Sequence, residues 1–219
     1  ELCKLDFRWV RLHYLYPELI DDALIDEIAS EDKIVKYLDI PIQHINDTIL
    51  RRMNRRGTGE EIRSLFRKLR ERIPGLVLRT SLITGLPGEG EAQFEELCDF
   101  LREAKIERAG VFPYSPEEGT PAALMPDRCS AEEAQRRAEL CMEIQSEIMD
   151  GFAETFIGRE LDVLVMGREP DGTPWGRSEY DSPDIDSRVI FSGDAAPGDM
   201  VRVRITSVDD GELIGEQTE

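Results

Sequence analysis

Hydrophobic and polar residues alternate along the first 129 positions with two periodicities, and this pattern predicts an α/β fold. Short apolar runs that end at Pro, Gly or polar residues predict strands at 9–17, 36–44, 76–85 and 108–115. Apolar residues at helical spacing predict helices at 18–30, 46–56, 58–72 and 90–104. Because these helices are long enough to serve as crossovers, the order predicts a parallel sheet or part of a (β/α) barrel.

Two capping boxes, in which a Ser or Thr is followed three residues later by Glu, mark helix starts. The first lies at 58–61 and opens the helix that runs to residue 72. The second lies at 130–133 and opens a long helix that we expect to end at Gly158. We interpret that helix as a link between domains, which gives the division 1–129, 130–158 and 159–219.

The last third of the chain changes to short β-rich segments separated by turn pairs such as Asp171-Gly172 and Pro197-Gly198. Five such segments at this spacing predict a small antiparallel barrel. Its length suits a module of the OB type.

Composition narrows the class of protein. The chain has 219 residues and is 40% hydrophobic, which is enough for one large or two smaller cores. No apolar run approaches the roughly 20 residues of a membrane helix, and the first residues do not resemble a signal peptide. We therefore expect a cytoplasmic protein without membrane contact.

The chain is strongly acidic, with 27 Lys and Arg against 46 Asp and Glu and a net charge of −19. From Gly151 onward there are 16 acidic residues and 6 Arg, so 6 − 16 = −10 and about half of the charge lies in the last third. Such a charge repels phosphate backbones and suits a basic protein partner. Solubility alone is an equally good explanation at this point.

The four cysteines, Cys3, Cys98, Cys129 and Cys141, are widely separated and form no Cys-x-x-Cys pattern. Cys98 lies on the apolar stripe of a predicted helix, and Cys141 occupies a similar position. We interpret both as small buried hydrophobic residues, and we expect no metal site within this chain.

Four strand ends carry unusual residues, at the edge where parallel α/β folds bind ligands. Gln43 and His44 end the second strand, and they either bind a ligand or cap the next helix. Arg79 lies in an otherwise apolar strand, where it either forms an ion pair or grips a carboxylate. Gly85 opens a turn whose backbone either meets the edge of a flat ring or forms an ordinary β-to-α connection, and Tyr114 either lines a pocket or belongs to the core.

Taken together and in this order, these stretches resemble the radical S-adenosylmethionine methylthiotransferases. The resemblance rests on YLDIPIQHINDTILRRMNRRGT, LRTSLITGLPGEGEAQFEELCDFL and AGVFPYSPEEGTPAALMPD, and it extends over essentially the whole chain. It implies that the first domain holds the last four strands of a partial radical-enzyme barrel, and that the last domain is a TRAM domain. It also implies S-adenosylmethionine and two 4Fe–4S clusters as cofactors of the full-length protein.

The resemblance further implies a set of cofactor contacts. Ile83 and Gly85 match the element that lies against adenine, although Ser81 replaces its first Gly and Glu89 falls one place late. Other contacts would come from Gln43 to the ribose or methionine, and from Arg79 to the carboxylate. Tyr114 is a further candidate.

The stretch GRSEYDSPDID, residues 176–186, resembles the signature of the branch that methylthiolates an aspartate of ribosomal protein S12. It departs from that signature by an extra or substituted residue before Tyr180, and by Ser182 in place of Ala. The implied partner is ribosomal protein S12, and tRNA, the substrate of a related branch, is not expected. The partner-binding candidates are Arg177, Tyr180, Asp181, Asp184 and Asp186.

The family's Cys-x-x-x-Cys-x-x-Cys motif, which holds the catalytic cluster, does not occur here. A cluster held by thiolates cannot form without its ligands. We therefore expect a fragment that is inactive alone, with an open sheet edge at 9–17 through which copies associate. The alternatives are a tRNA-modifying relative and a non-catalytic protein-binding module.

Overall fold

The computed structural model describes residues 1–218 and divides the chain into two compact units, Glu1–Ile148 and Met149–Glu219. In the first unit the strands are β1 (Val10–Leu12), β2 (Ile34–Asp39), β3 (Val77–Thr84) and β4 (Arg108–Pro113). They pair in parallel in chain order. The expected parallel sheet is therefore confirmed, and β1 is one of its edges.

Helices connect these strands as predicted. They are α1 (Asp22–Ser30), α2 (Asp47–Arg52), α3 (Gly59–Arg72), α4 (Glu91–Ala104) and α5 (Ala131–Glu154). Short 3₁₀ segments lie at Leu2–Lys4, Pro17–Leu19 and Pro121–Leu124. The expected capping box of α3 is present, with Thr58 and Glu61 bonding reciprocally. At the start of α5, Ser130 Oγ accepts from the Glu133 N–H at 3.1 Å.

Several predicted elements are shorter in the structure. The strand predicted at 9–17 ends at Leu12, because Tyr14 has a φ of 57° and Pro17 begins a 3₁₀ segment. The strand predicted at 36–44 ends at Asp39, before Pro41, which has no N–H to give a ladder. The long helix ends at Glu154 rather than at Gly158. Since the two units meet within α5, the division at 129 and 158 stays a prediction.

The two faces of the parallel sheet differ in chemistry. One face buries Leu38, Leu78, Leu82 and Val111 in a core that also contains residues of all the helices of this unit. On β3 these buried residues alternate with Arg79, Ser81 and Ile83, which point to the opposite face and are only partly buried. This second face is the one available to a ligand.

The second unit is a closed barrel of five strands in the order β5-β6-β7-β9-β8. They are β5 (Glu160–Arg168), β6 (Pro174–Arg177), β7 (Val189–Ser192), β8 (Met200–Asp209) and β9 (Glu212–Gln217). The predicted barrel is confirmed, with one difference: β7 and β9 pair in parallel, and the remaining pairs are antiparallel. Its core includes Val163, Phe191, Val203 and Leu213.

Candidate functional site

The candidate site lies on the open face of the parallel sheet, toward the carboxyl ends of β2, β3 and β4. Arg79, Ser81 and Ile83 occupy alternate positions of β3 and therefore share this face. In the strand register Arg79 lies beside Asp39 of β2, and Ile83 lies beside Phe112 of β4. Phe112 is 53% exposed, so an apolar surface is available next to Ile83.

Arg79 forms the ion pair that the sequence left as one of two interpretations. Its Nη1 lies 2.9 Å from Asp39 Oδ1, and the Asp39 side chain is 1% exposed. The other carboxylate oxygen accepts from the Tyr14 N–H at 3.3 Å and lies 3.7 Å from His13 Nδ1. Arg79 is thus held in place by a buried carboxylate, whatever else it binds.

Gln43 lies beyond the end of β2 but remains tied to β3. Its N–H donates to Ser81 O at 2.9 Å, and its carbonyl accepts from the Ile83 N–H at 2.8 Å. The residue has a φ of 69°, a left-handed conformation that the sequence did not predict. The structure therefore places Gln43 directly beside Ile83, and Arg79 lies four residues away along β3, about 13 Å at the usual strand rise.

The turn after β3 folds around its own glutamate. The Gly85 N–H donates to Glu89 Oε2 at 2.9 Å, and the Glu89 N–H donates to Leu86 O at 2.9 Å. Gly85 and Gly88 have φ values of 75° and 87°, and a Cβ on Gly88 would collide with the Arg52 guanidinium. The positive φ favours glycine at both positions, and at Gly85 a Cβ would also collide with the Cβ of Ala134.

Glu89 is the centre of a buried polar network that the sequence did not predict. Its side chain is 0% exposed, with Oε1 lying 2.9 Å from Arg137 Nη1 and Oε2 lying 3.4 Å from His44 Nε2. Burial alone would raise the pKa of this carboxyl, but His44, the Gly85 N–H and Arg137 outweigh it and hold the pKa below its ordinary value.

Arg137 reaches Glu89 from α5. It donates to the Glu89 carbonyl at 3.0 Å as well as to its carboxylate, and it lies 5.1 Å from the centre of the Phe94 ring. A signal for this contact exists in the sequence, because Arg137 lies on the same helical stripe as Ala134, Ala138 and Cys141. A charged residue on an apolar stripe needs a buried partner.

Gly85 and Tyr114 line a cavity of about 420 Å³, together with residues at the start of α5 and in the loop before it. The Tyr114 N–H donates to Thr84 O at 2.8 Å, which fixes the residue beside the turn. Its Oη is buried and has no hydrogen-bond partner among the described residues. A buried hydroxyl of this kind is suited to a polar group of a ligand.

Metal ligands are a separate question. Within residues 1–218, no group of three or more His, Cys, Asp or Glu side chains is arranged to hold a metal ion. Across the same residues, none of the helices has the length and apolar character needed to span a membrane.

Comparison with known proteins gives two family models. Residues 1–101 match the radical SAM superfamily, and residues 157–217 match the TRAM domain. The ribosomal protein uS12 methylthiotransferase RimO of Geotalea uraniireducens is 47% identical over 220 residues, 99% of this chain and 49% of that protein. The RimO protein of Geobacter sulfurreducens is 49% identical over the same shares of both chains.

The chain belongs to the RimO family. It spans about half the length of the curated relatives that it matches. Among solved structures, the radical SAM enzyme coproporphyrinogen III oxidase (HemN) of Escherichia coli aligns with a TM-score of 0.54 at 21% identity. That alignment covers 64% of this chain and 32% of HemN, and it supports the fold of the first unit.

Membership of a radical SAM family implies S-adenosylmethionine and a 4Fe–4S cluster as cofactors. The first unit fits the nucleoside part of such a cofactor, because an open sheet face, an apolar surface at Ile83 and the orphaned Tyr114 hydroxyl lie near the strand ends. It does not fit the cluster, since the described residues include no suitable group of ligands.

The RimO-like stretch 176–186 begins with the last two residues of β6 and continues into the loop between β6 and β7. Arg177 is buried, and its Nη1 donates to three backbone carbonyls of the loop at 2.5–3.2 Å. Asp181 is also buried and accepts from the Ser178 N–H and hydroxyl. The Tyr180 ring packs against the Phe156 ring in a tilted orientation, with 5.1 Å between the ring centres. These side chains shape the loop from within.

The two remaining candidates differ from each other. Asp186 Oδ2 accepts from the Ser182 N–H at 2.7 Å and so also supports the loop. Asp184 is exposed at the tip, with a φ of 63°, beside Ile185, which is 52% exposed. Of the five residues expected to contact a partner, Asp184 is the one that the loop presents outward.

Proposed function

We propose that this chain is part of a radical SAM methylthiotransferase that modifies an aspartate of ribosomal protein uS12. The proposal takes its reaction and substrate from the RimO relatives, which share 47–49% identity with the chain. A substrate of this kind would place the protein in the cytoplasm. The chain's own residues support the proposal at two places, the open face of the first unit and the surface of the second.

The open face of the first unit would hold the nucleoside and amino-acid parts of S-adenosylmethionine. Ile83 and the neighbouring Phe112 offer an apolar surface to adenine, and Gln43 offers an amide beside it. Arg79, already oriented by Asp39, would meet a carboxylate. In the whole protein, S-adenosylmethionine held at this face would supply radical chemistry, the abstraction of hydrogen from carbon.

The choice of substrate rests on the contacts that the six arginines of the second unit already make. Four of the six lie against carboxylates: Arg168 with Asp194, Arg188 with Glu169 and Glu212, Arg202 with Asp162, and Arg204 with Glu160. Of the other two, Arg177 donates to backbone carbonyls, and Arg159 lies 4.7 Å from the centre of the Phe156 ring. Each guanidinium in this unit is therefore already engaged.

A surface of this composition suits a basic protein better than RNA. Binding phosphates requires Lys or Arg side chains that replace counterions, and here four of the six arginines lie against carboxylates of the same unit. The acidic residues in excess would attract a basic partner and orient it. A tRNA-modifying relative is the second candidate, and a non-catalytic protein-binding module is the third.

A binding experiment tests the substrate. Purified uS12 and tRNA are titrated separately into the 219-residue chain at low and at physiological salt, and affinities are measured by calorimetry. We expect uS12 to bind with an affinity that falls as salt rises, and tRNA to show no binding. Binding of tRNA without binding of uS12 would overturn the proposed substrate.

A matched pair of variants tests the loop. Asp184→Asn removes one charge at the loop tip, and Asp194→Asn removes one charge at an exposed site outside the loop. We expect Asp184→Asn to weaken uS12 binding by roughly two- to fivefold, the usual effect of an exposed charge, and Asp194→Asn to have a smaller effect. Equal effects would mean that charge alone, and not this loop, attracts the partner.

Activity is tested with a chimera, in which the part of the Geobacter sulfurreducens relative that this chain does not cover is joined to this chain. With reconstituted clusters, S-adenosylmethionine and a sulfur source, we expect methylthiolated uS12, detected by mass spectrometry. A folded chimera that cleaves S-adenosylmethionine and leaves uS12 unmodified would contradict the proposed reaction.

A further inference from the structure

Two cysteines that the proposed function does not use lie against each other in the core of the first unit. Cys98 of α4 and Cys141 of α5 have their Sγ atoms 3.9 Å apart. Both are free thiols, and both lie in the hydrophobic core, where Cys98 is 7% exposed and Cys141 is 0% exposed. A disulfide has an S–S length of about 2.05 Å, so a sulfur displacement of about 2 Å would suffice to form one.

A route for a small oxidant leads to one of the two sulfurs. Cys98 lines a cavity of about 450 Å³ between α4 and α5, with Asp99 and Arg102 on one side and Leu140 and Ile144 on the other. Cys141 does not line this cavity. The two thiols thus have different access, with Cys98 reachable from solvent and Cys141 behind it.

The electrostatic surroundings also make Cys98 the more reactive of the two thiols. The hydrogen bond from Cys141 outweighs burial and, together with the charge of Arg102, lowers the pKa of Cys98 below its ordinary value. The same hydrogen bond, with burial, raises the pKa of Cys141 far above its ordinary value. Since the thiolate is the reactive form, Cys98 is the sulfur that reacts first.

We propose that Cys98 and Cys141 are a reversible redox pair, in which hydrogen peroxide oxidises Cys98 and Cys141 then closes a disulfide between α4 and α5. In the first step the Cys98 thiolate attacks one peroxide oxygen, which gives a sulfenic acid and releases hydroxide. In the second step the Cys141 sulfur attacks the Cys98 sulfur, and the departing hydroxyl leaves as water with the Cys141 proton. Two thiols are oxidised, and the peroxide is reduced to water.

The cross-link would act on the wall of the candidate site. Cys141 lies one helical turn after Arg137, and Arg137 holds the Glu89 carboxylate of the turn after β3. A disulfide that closes a loop over 43 sequence positions would tie this part of α5 to α4. We expect the oxidised chain to unfold at a higher temperature, because the bond restricts the unfolded state. An added dithiol would return both thiols by exchange.

Thiol mapping tests the pair without any variant. The reduced chain is treated with hydrogen peroxide, alkylated in denaturant and digested without reductant, and the peptides are identified by mass spectrometry. We expect a cross-linked peptide that joins Cys98 to Cys141, a loss of two of the four alkylatable thiols, and full recovery with dithiothreitol. If Cys98 and Cys141 remain reduced while Cys3 or Cys129 is oxidised, the proposal is wrong.

Variants assign the order of the steps. In Cys141→Ser, the sulfenic acid on Cys98 has no resolving thiol, so a dimedone adduct should accumulate there. In Cys98→Ser, we expect Cys141 to stay reduced. Cys129→Ser is the matched control and should form the cross-link as the unmodified chain does. A dimedone adduct on Cys141 in Cys98→Ser, at the rate seen for Cys98, would overturn the assigned order.

Discussion

Replacing Arg137 with Met should destabilise the first unit more than any change to an exposed arginine of the same helix. Arg137 is 5% exposed and pairs with Glu89 at 2.9 Å and with Glu133 at 2.7 Å. Methionine keeps much of the volume but removes every hydrogen bond. The Glu89 carboxylate would then remain fully buried, with only the Gly85 N–H and His44 near it.

The expected magnitude follows from this burial. Removing one partner of a buried ion pair costs about 3–5 kcal/mol, because the other charge is left without compensation. For a unit of this size, with an m value of about 2 kcal/mol per molar urea, the unfolding midpoint should fall by roughly 1.5–2.5 M. In Glu89→Gln/Arg137→Met no charge is left behind, so the double variant should recover about 1–3 kcal/mol of the loss.

The assay is urea unfolding followed by tryptophan fluorescence. The chain has two tryptophans, Trp9 in the first unit and Trp175 in the second, so Trp175→Phe provides a background in which Trp9 reports the unit of interest. The control is Arg136→Met. Arg136 pairs with the same Glu133, but its side chain is 51% exposed, so no resolvable shift is expected. A loss below about 1 kcal/mol for Arg137→Met, or equal losses for both variants, would refute the buried network as a source of stability.

Three further predictions concern the same unit. The folded pKa of Glu89 lies below the ordinary 4.5, so the stability that its carboxylate provides is present above pH 4.5 and is lost as the pH falls below that value. Glu89→Gln should therefore flatten the decline of the urea midpoint below about pH 5. Gly85→Ala should cost about 1–3 kcal/mol more than Gly75→Ala in thermal unfolding, since both have similar positive φ values but only at Gly85 would the new Cβ collide with Ala134. Thr58→Ala should lower the urea midpoint by the equivalent of about 1 kcal/mol through loss of the capping box, and Thr58→Ser should retain most of it.

The order of strands and helices could be predicted because it depends on local patterns. The capping box of α3 and the strand at 77–84 follow from residue types a few positions apart, and the structure has both. The strand ends could not be predicted in the same way. Tyr14 and Gln43 adopt positive φ values that their residue types do not favour, and tertiary contacts such as those of Gln43 with Ser81 and Ile83 hold them there.

The site was predicted less completely, because burial of polar side chains depends on distant parts of the chain. The motif at 176–186 drew attention to one stretch of the second unit, but its letters do not show that Arg177 and Asp181 are buried. Likewise, Glu89 and Arg137 are separated by 48 positions and meet only in the folded unit. Short motifs thus marked the place of the candidate site, and the fold decides which of its side chains are buried and which are exposed.

The turn after β3 has the outline of a phosphate-binding loop, and its hydrogen bonds argue against that use. In such loops, backbone N–H groups at a helix start point at an anion. Here the Gly85 N–H already donates to the Glu89 carboxylate, and the Gly88 N–H donates to Asp127 O. A bound phosphate would have to displace a buried carboxylate that Arg137 also holds, and it would meet that negative charge at close range. The turn is therefore occupied by an anion of its own, and the ligand contacts that we propose at Ile83, Gln43 and Tyr114 suit an uncharged ring better than a phosphate.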